Sequence, residues 1–357
     1  MRAVVYDSFE GLLRLTDVPD PAPEPHGVVV RVTATGLCRS DWHGWMGHDD
    51  DITALPHIGG HEFAGVVEVV GSQVQRWKRG DRVTVPFVCA CGTCPTCDAG
   101  QHQVCPNQWQ PGFSGWGSFA EYVALPWADV NLVALPEAIP DSAAAALGCR
   151  TATAYRAVAL VGRCAPGEKV AVIGCGGVGL SAVMTARALG AHVIGLDVSA
   201  GALGLARRLG AETTVDASGL TPDEVVAAIA EATDGGAHLA LDALGSIDTA
   251  HISVACLRRR GRQVQVGLLP PAVVAGRASV PMHLVISREL SILGSHGLAA
   301  HDYPDLLDLV ADGRIDPQAL VTRTIGLAEL PAAMAAMGAR SDPGVTVVDP
   351  GALSPRV

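Results

Sequence analysis

The feature that most constrains this chain is one continuous passage, "EKVAVIGCGGVGLSAVMTARALG", residues 168–190. A short β-branched run leads into a turn holding Gly174, Gly176, Gly177, Val178 and Gly179. An alanine-rich helical run follows, and Asp197 closes the next strand candidate, "AHVIGLD". Glycines at such a turn let the backbone approach a pyrophosphate, the helix N-terminus offers it unsatisfied N–H groups, and the acid reaches ribose hydroxyls. A glycine-rich turn without a ligand is the plainer reading; the strand-turn-helix context, with the acid at the expected remove, weighs against it. Asp197 repels a 2′-phosphate and "DVSAG" brings no Arg or Lys to receive one, so NAD is expected rather than NADP.

The same alternation runs on. "TTVDA", "HLALDAL", "RQVQVGLL" and "ELSILGS" read as strands, separated by helical stretches such as "PDEVVAAIAEAT". This predicts an α/β chain whose doubly wound parallel sheet spans 151–293. Residues 1–150 have a different texture, with β-rich runs such as "HGVVVRVTATG" and "FAGVVEVVG" punctuated by Pro and Gly, and predict an irregular, mostly antiparallel domain. The tail 294–357, with its closing "GVTVVD", is expected to return to that first domain.

At 357 residues the chain exceeds what one core usually supports, which agrees with two domains. The formal charge, 25 − 36 = −11, disfavours nucleic acid and anionic membranes as general partners. No leader pattern opens the sequence and no run reaches ~18 apolar residues, so a cytoplasmic protein is expected. In that compartment cysteines stay reduced, and clustered ones are metal-ligand candidates before they are disulfides.

Ten cysteines are present, five of them within "CACGTCPTCDAGQHQVC", residues 89–105. Cys91, Cys94, Cys97 and Cys105 read C-x2-C-x2-C-x7-C, with Cys89 left over. Spacing alone leaves open whether this is the reactive centre or a clip remote from it. Elsewhere, "GLCRSDWHGW", "GGHEF" and "LGCRTATAY" contain Cys38, His61 and Cys149. Singly these look like core residues; together they offer two thiolates and an imidazole, a set that catalytic zinc sites use while keeping a fourth position open. Cys164, Cys175 and Cys256 have no metal spacing and read as core or turn residues.

These motifs in this order resemble the medium-chain zinc-dependent alcohol dehydrogenases over essentially the whole chain, and of those the compact microbial kind. The match rests on Gly60, His61, Glu62, Gly65, Gly71 and Val74, on the C-R-[ST]-D-x-H run from Cys38 to His43, on Cys149, and on Gly174 to Gly179. The resemblance implies a GroES-like catalytic domain joined to a Rossmann domain. It implies two Zn2+ per subunit: a catalytic one on Cys38, His61 and Cys149, and a structural one on Cys91, Cys94, Cys97 and Cys105. With an open site supplied elsewhere, the cysteine cluster is free to be a closed four-thiolate site.

The resemblance also assigns roles. Glu62 matches a carboxylate that in some states reaches the metal, and Asp41 the acid that orients the ligand histidine. Ser40 matches the hydroxyl that bonds the substrate oxygen, and His43 the histidine that passes its proton to solvent. His43 has a competing reading as a surface histidine, like some of His26, His48 and His57; its place in the C-R-S-D-x-H run favours the relay. Arg39 matches a pyrophosphate contact, Thr153 and Val178 match residues behind the nicotinamide, and Val266, at the end of "RQVQV", a backbone contact to its amide. Trp45, Phe87 and Trp116 fall where the family lines its substrate pocket, although aromatics fill core volume first.

The implied reaction is interconversion of an alcohol and an aldehyde or ketone by hydride transfer to or from NAD. The alternative keeps the fold and changes the substrate to a formaldehyde adduct, amino-alcohol or polyol. Cys149, where some branches have Asp or Glu, disfavours the polyol. A zinc-ribbon module on nucleic acid predicts basic residues around the cluster, and 89–105 contains no Lys or Arg. Only eleven residues separate Cys105 from "GSFAEYVAL", as in the compact tetrameric enzymes, so a homotetramer is expected, with a dimer as the alternative.

Overall fold

The computed structural model describes residues 1–269, 274, 276, 280–338 and 343–352. Its chain divides into two compact units, with breaks at Ala152/Thr153 and His296/Gly297; Gly313–Ile315 also belongs to the second unit.

The first unit is built on a seven-stranded sheet. Its backbone is the ten-residue strand Val28–Leu37, whose Val28 and Val30 are fully buried. Each such side chain contributes about 1.5–3 kcal/mol relative to an exposed one. Antiparallel to it lie Phe63–Val70, Tyr122–Leu125 and Val345–Asp349. Arg82–Thr84 and Val133–Ala134 extend the sheet on one side, and Val321–Gly326 on the other, pairing in parallel with Val345–Asp349. The closing "GVTVVD" therefore sits beside the first long strand. A small ribbon of Arg2–Val5 and Arg14–Asp17 flanks this sheet.

The second unit carries six parallel strands. In spatial order they are Thr213–Asp216, His192–Asp197, Lys169–Ile173, Ala237–Asp242, Leu257–Gln265 and Ser291–Gly294. In chain order this is 3-2-1-4-5-6, the doubly wound arrangement that places a ligand crevice at the C-terminal ends of the central strands. Ile173, Ile194, Ile229, Ile252 and Leu257 share one core cluster beside the sheet. Local signals agree with the tertiary ones: the helix Pro222–Ala232 starts with a capping box, in which Thr221 N–H donates to Glu224 Oε2 at 2.8 Å. No helix among the described residues is long and apolar enough to cross a membrane.

Candidate metal centres and nucleotide turn

Cys38 stands where the strand Val28–Leu37 gives way to the helix Arg39–Trp45, and the first turn of that helix builds the site. Asp41 caps the helix, its Oδ2 accepting the Cys38 N–H at 2.8 Å. Its Oδ1 accepts from the Gly60 N–H at 3.1 Å and lies 2.7 Å from His61 Nδ1. One buried carboxylate thus ties two potential ligands and the turn before one of them. Cys149 comes from Leu147–Thr151, a turn widened so that Thr151 N–H reaches the Ala146 carbonyl five residues back. Such widened turns often mark functional positions in helices.

The ligand atoms of Cys38, His61 and Cys149 lie within 4.8 Å of one another. His61 Nε2 is buried and has no hydrogen-bond partner among the described residues, whereas Nδ1 is held by Asp41. A buried imidazole nitrogen without a partner is costly unless something accepts its lone pair, and a cation between the two thiols does so. The Cys38 thiol is held well below its usual range, first by its hydrogen bond with Cys149 and then by the charges of Arg150 and His61. The residues fit a zinc ion.

Glu62 follows His61, and its carboxylate lies away from this cluster. Oε1 accepts the N–H groups of Cys149 (3.2 Å) and Arg150 (3.0 Å), and Oε2 pairs with Arg150 Nη1 at 2.6 Å. Both side chains are almost wholly buried, and Arg150 also donates to the Leu37 carbonyl. Arg150 drew no attention in the sequence. The available signal was Glu62 itself, because a buried carboxylate next to a buried ligand needs a cation. Phe113 was likewise missed: its ring lies 5.2 Å from that of His61, with Phe87 at 6.2 Å.

The other expected residues of this unit are placed as follows. Ser40 Oγ is 3.8 Å from the Cys38 sulfur. His43 is half-buried and faces His48; its pKa is lowered, chiefly by burial and then by His48 and Arg39. Arg39 lies over the Trp42 ring at 4.5 Å and donates to the Met337 carbonyl. Trp45 packs against the Ala3, Val4 and Ile58 cluster with its indole N–H on the Gly11 carbonyl, and Trp116 is exposed with its N–H on Pro56.

Cys91, Cys94, Cys97 and Cys105 converge in the loop that follows Arg82–Thr84. Their sulfurs stand 3.5 Å apart between Cys94 and Cys97, 3.6 Å between Cys91 and Cys105, and 3.8 Å between Cys94 and Cys105. Four sulfurs at ~2.3 Å around a tetrahedral zinc lie about 3.8 Å from one another. All four are buried, and beyond one another they pack only against Ala90, Trp127 and Val130 in their cluster. Hydrogen bonding, first from Thr93 and then from Asn107, draws the Cys91 thiol down to about 6, while burial pushes Cys97 up to about 12. Cys89 belongs to the sheet core with Val83 and Val85, outside this cluster.

In the second unit the glycine turn joins the strand Lys169–Ile173 to the helix Gly177–Ala188. A Cβ on Gly179 would stand 1.8 Å from the Gly174 carbonyl oxygen, so only glycine lets helix and strand approach this closely. Beside Gly176 there is open space. Asp197 Oδ2 accepts the Cys175 N–H at 2.7 Å and Oδ1 the Ser199 N–H at 2.8 Å, fixing the acid against the turn. The strand ends at Gln265, one residue before Val266, whose N–H donates to the Asp242 carbonyl at 3.0 Å. Val178 is half-buried in the first turn of the helix, and Thr153 is buried in the short helix Ala152–Tyr155.

Comparison with known proteins agrees with this geometry. Residues 24–137 match the Alcohol dehydrogenase GroES-like domain, and residues 177–312 match the Zinc-binding dehydrogenase domain. An alcohol dehydrogenase of Rhizobium meliloti (strain 1021) is 34% identical over 317 residues, 88% of this chain and 89% of that protein. One from Geobacillus stearothermophilus is 34% identical over 316 residues, 88% of this chain and 90% of its own. The solved alcohol dehydrogenase TADH from Thermus sp. ATN1 superposes with a TM-score of 0.86 at 33% identity, covering 98% of this chain and 99% of that one. With two family domains in order, two clustered ligand sets and relatives alike over most of its length, the chain belongs to the zinc-dependent medium-chain alcohol dehydrogenase family.

Proposed function

We propose that this chain interconverts alcohols with aldehydes or ketones using NAD, with one zinc on Cys38, His61 and Cys149 and a second on Cys91, Cys94, Cys97 and Cys105. The observation that carries this reading is the buried, partnerless Nε2 of His61 beside two thiols, its other nitrogen held by Asp41. Three protein ligands leave one of zinc's usual four positions for a substrate oxygen, whereas four thiolates leave none. When bound, the catalytic zinc supplies Lewis acidity at an alcohol or carbonyl oxygen, and the nicotinamide takes or gives the hydride.

The protein's own groups do the rest. Asp41 keeps His61 in the tautomer whose Nε2 is free. Ser40, next to the Cys38 sulfur, is placed to hydrogen-bond the reacting oxygen, and His43 takes the proton outward. Arg150, by its ion pair and its N–H, engages the Glu62 carboxylate and would keep it from a bound metal in this arrangement. Asp197 supports NAD through its charge, and Gly176 leaves the space a pyrophosphate needs. Arg39 would have to exchange the Met337 carbonyl for a phosphate oxygen to contact the cofactor. A cytoplasmic enzyme agrees with clustered cysteines that form no disulfide among the described residues. The short segment after Cys105 supports a homotetramer, with a dimer as the alternative.

A panel of primary and secondary alcohols and their carbonyl partners, run with NAD and NADP and followed by nicotinamide absorbance, tests the proposal. Turnover of simple alcohols with NAD is expected. Inactivity on all of them, with turnover of a thiol adduct, amino-alcohol or polyol, would move the assignment to another branch of the superfamily. In the same assay Asp197→Gly should narrow the preference for NAD, and an unchanged ratio would remove that role from Asp197.

A further inference from the structure

Just past the first helix the chain folds back on itself. Gly47, at φ +74°, closes a turn in which the His48 N–H bonds the His43 carbonyl at 3.0 Å. A side chain at 47 would be strained by that φ and would press on Phe9, 3.0 Å from the added Cβ. The turn sets two imidazoles together: His43 Nδ1 and His48 Nδ1 are 3.0 Å apart, with ring centres at 5.3 Å. Trp42 meets both rings edge-on, at 4.9 and 5.9 Å, and is itself covered by Arg39.

Two neutral imidazoles joined Nδ1 to Nδ1 must take opposite tautomers, because one nitrogen donates the shared proton and the other accepts it. If His43 donates, its Nε2 carries the lone pair and can act as a base. If it accepts, its Nε2 already bears a proton and cannot. Which ring donates decides whether His43 can accept a proton at all.

We propose that His48 is a positioning residue for proton transfer: it accepts the Nδ1–H of His43 and so keeps His43 Nε2 free to take the proton leaving the substrate alcohol. This rests on the reading of His43 as the proton exit. The step balances at one atom: an N–H bond forms at His43 Nε2 as the alcohol's proton arrives, and the same bond breaks as that proton passes to water. No electrons change owner, and the shared Nδ1 proton stays between the rings. In carbonyl reduction the order reverses. Burial, then His48 and Arg39, favour the neutral form of His43, against the smaller opposing effects of Cys38 and Asp49.

The zinc-loaded enzyme tests this with two substitutions of opposite character. His48→Gln keeps an acceptor oxygen within reach of His43 Nδ1, whereas His48→Phe keeps an aromatic ring and removes the acceptor. Phe is expected to lower kcat for alcohol oxidation at neutral pH by several-fold with KM unchanged, a smaller loss than the about 10²-fold or more of deleting an acid-base group. Gln is expected to retain most of kcat. A packing role predicts the reverse order, and Gln as slow as Phe, or Phe as fast as the parent, overturns the inference. His43→Gln separates the two readings: if it keeps full kcat, the relay itself is wrong, and if it alone slows the enzyme, the relay stands and His48 has no part. Nitrogen-15 spectra of the parent should show His43 protonated at Nδ1; protonation at Nε2 refutes the inference even if a variant fails to fold.

Discussion

The two clusters of potential ligands in the first unit are built from similar donors and differ in almost every other respect. Cys91, Cys94, Cys97 and Cys105 lie within one short loop and make a closed set of four sulfurs with few apolar neighbours. Cys38, His61 and Cys149 come from three distant segments, and each is held by its own local device: a helix cap, a strand entrance and a widened helical turn. On the proposed zinc assignment, the first set is a fold element that needs its ion. On the same assignment, the second is a prepared site that an ion would complete.

The largest expected effect breaks the second set. Cys38→Ala should lower turnover by about 10³-fold or more, because Lewis-acid stabilisation is worth several kcal/mol at about 1.4 kcal/mol per decade. Metal analysis should fall from two zinc ions per chain to one, with NAD binding and the unfolding midpoint little changed. Full activity in this variant would mean the metal is held elsewhere.

Cys97→Ala attacks the other set and should reverse the pattern. Loss of a structural zinc removes folding free energy directly, here about 4 kcal/mol or more, in the range of the most damaging single substitutions. Protease sensitivity should appear first within 89–105, and activity should fall only as that loop opens. If Cys97→Ala stopped turnover while leaving thermal stability intact, the contrast drawn here would be wrong.

Asp41→Asn probes how far the mixed site depends on preparation. The substitution keeps the size of the side chain and removes the charge 2.7 Å from His61 Nδ1. Loss of such a partner typically costs 10–100-fold in metal affinity or activity, about 1.4–2.7 kcal/mol. Competition with a chelator should show zinc leaving in two phases, the catalytic ion first. Simultaneous release of both ions would show that the two sites are not independent.

This difference also explains what could be read from the sequence. The doubly wound unit was legible because its pattern is local: each strand, the glycine turn and the acid at Asp197 announce themselves within a few residues. The four-cysteine loop was legible for the same reason. Cys38, His61 and Cys149 became a site only through family resemblance, since nothing local in three separate segments says that they meet. Arg150 against Glu62 and His48 against His43 stayed hidden, because the choice of partner depends on the fold. A histidine five positions from another looks like surface until the turn at Gly47 brings it back. Trp45, which family position sets on a pocket wall, is half-buried, its ring against the core cluster and its N–H on the Gly11 carbonyl.

The smallest expected effect comes from acid and asks whether the two regions share a weakness. His57, four residues before His61 and buried with Nε2 on the Gly112 carbonyl, and His102, in the cysteine loop, both have pKa values lowered chiefly by burial. The folded state therefore binds fewer protons than the unfolded chain, for which a histidine titrates near about 6.5. By linkage, their contribution is fully present above that value and is lost as pH falls through it toward the folded value. Asp81, lowered by its Lys78 hydrogen bond, and Asp216, lowered by Ser218, act in the same direction but only in the lower carboxylate range, so the windows separate. The zinc-loaded protein should lose a few degrees of Tm between neutral pH and the range just below 6.5, before Asp81 or Asp216 responds. His57→Gln should flatten that slope more than His102→Gln, because His57 is the more deeply buried of the two. Equal slopes in both variants would place the acid response outside these histidines, whereas a larger effect from His102 would make the cysteine loop the acid-sensitive region and reverse the ranking of the two.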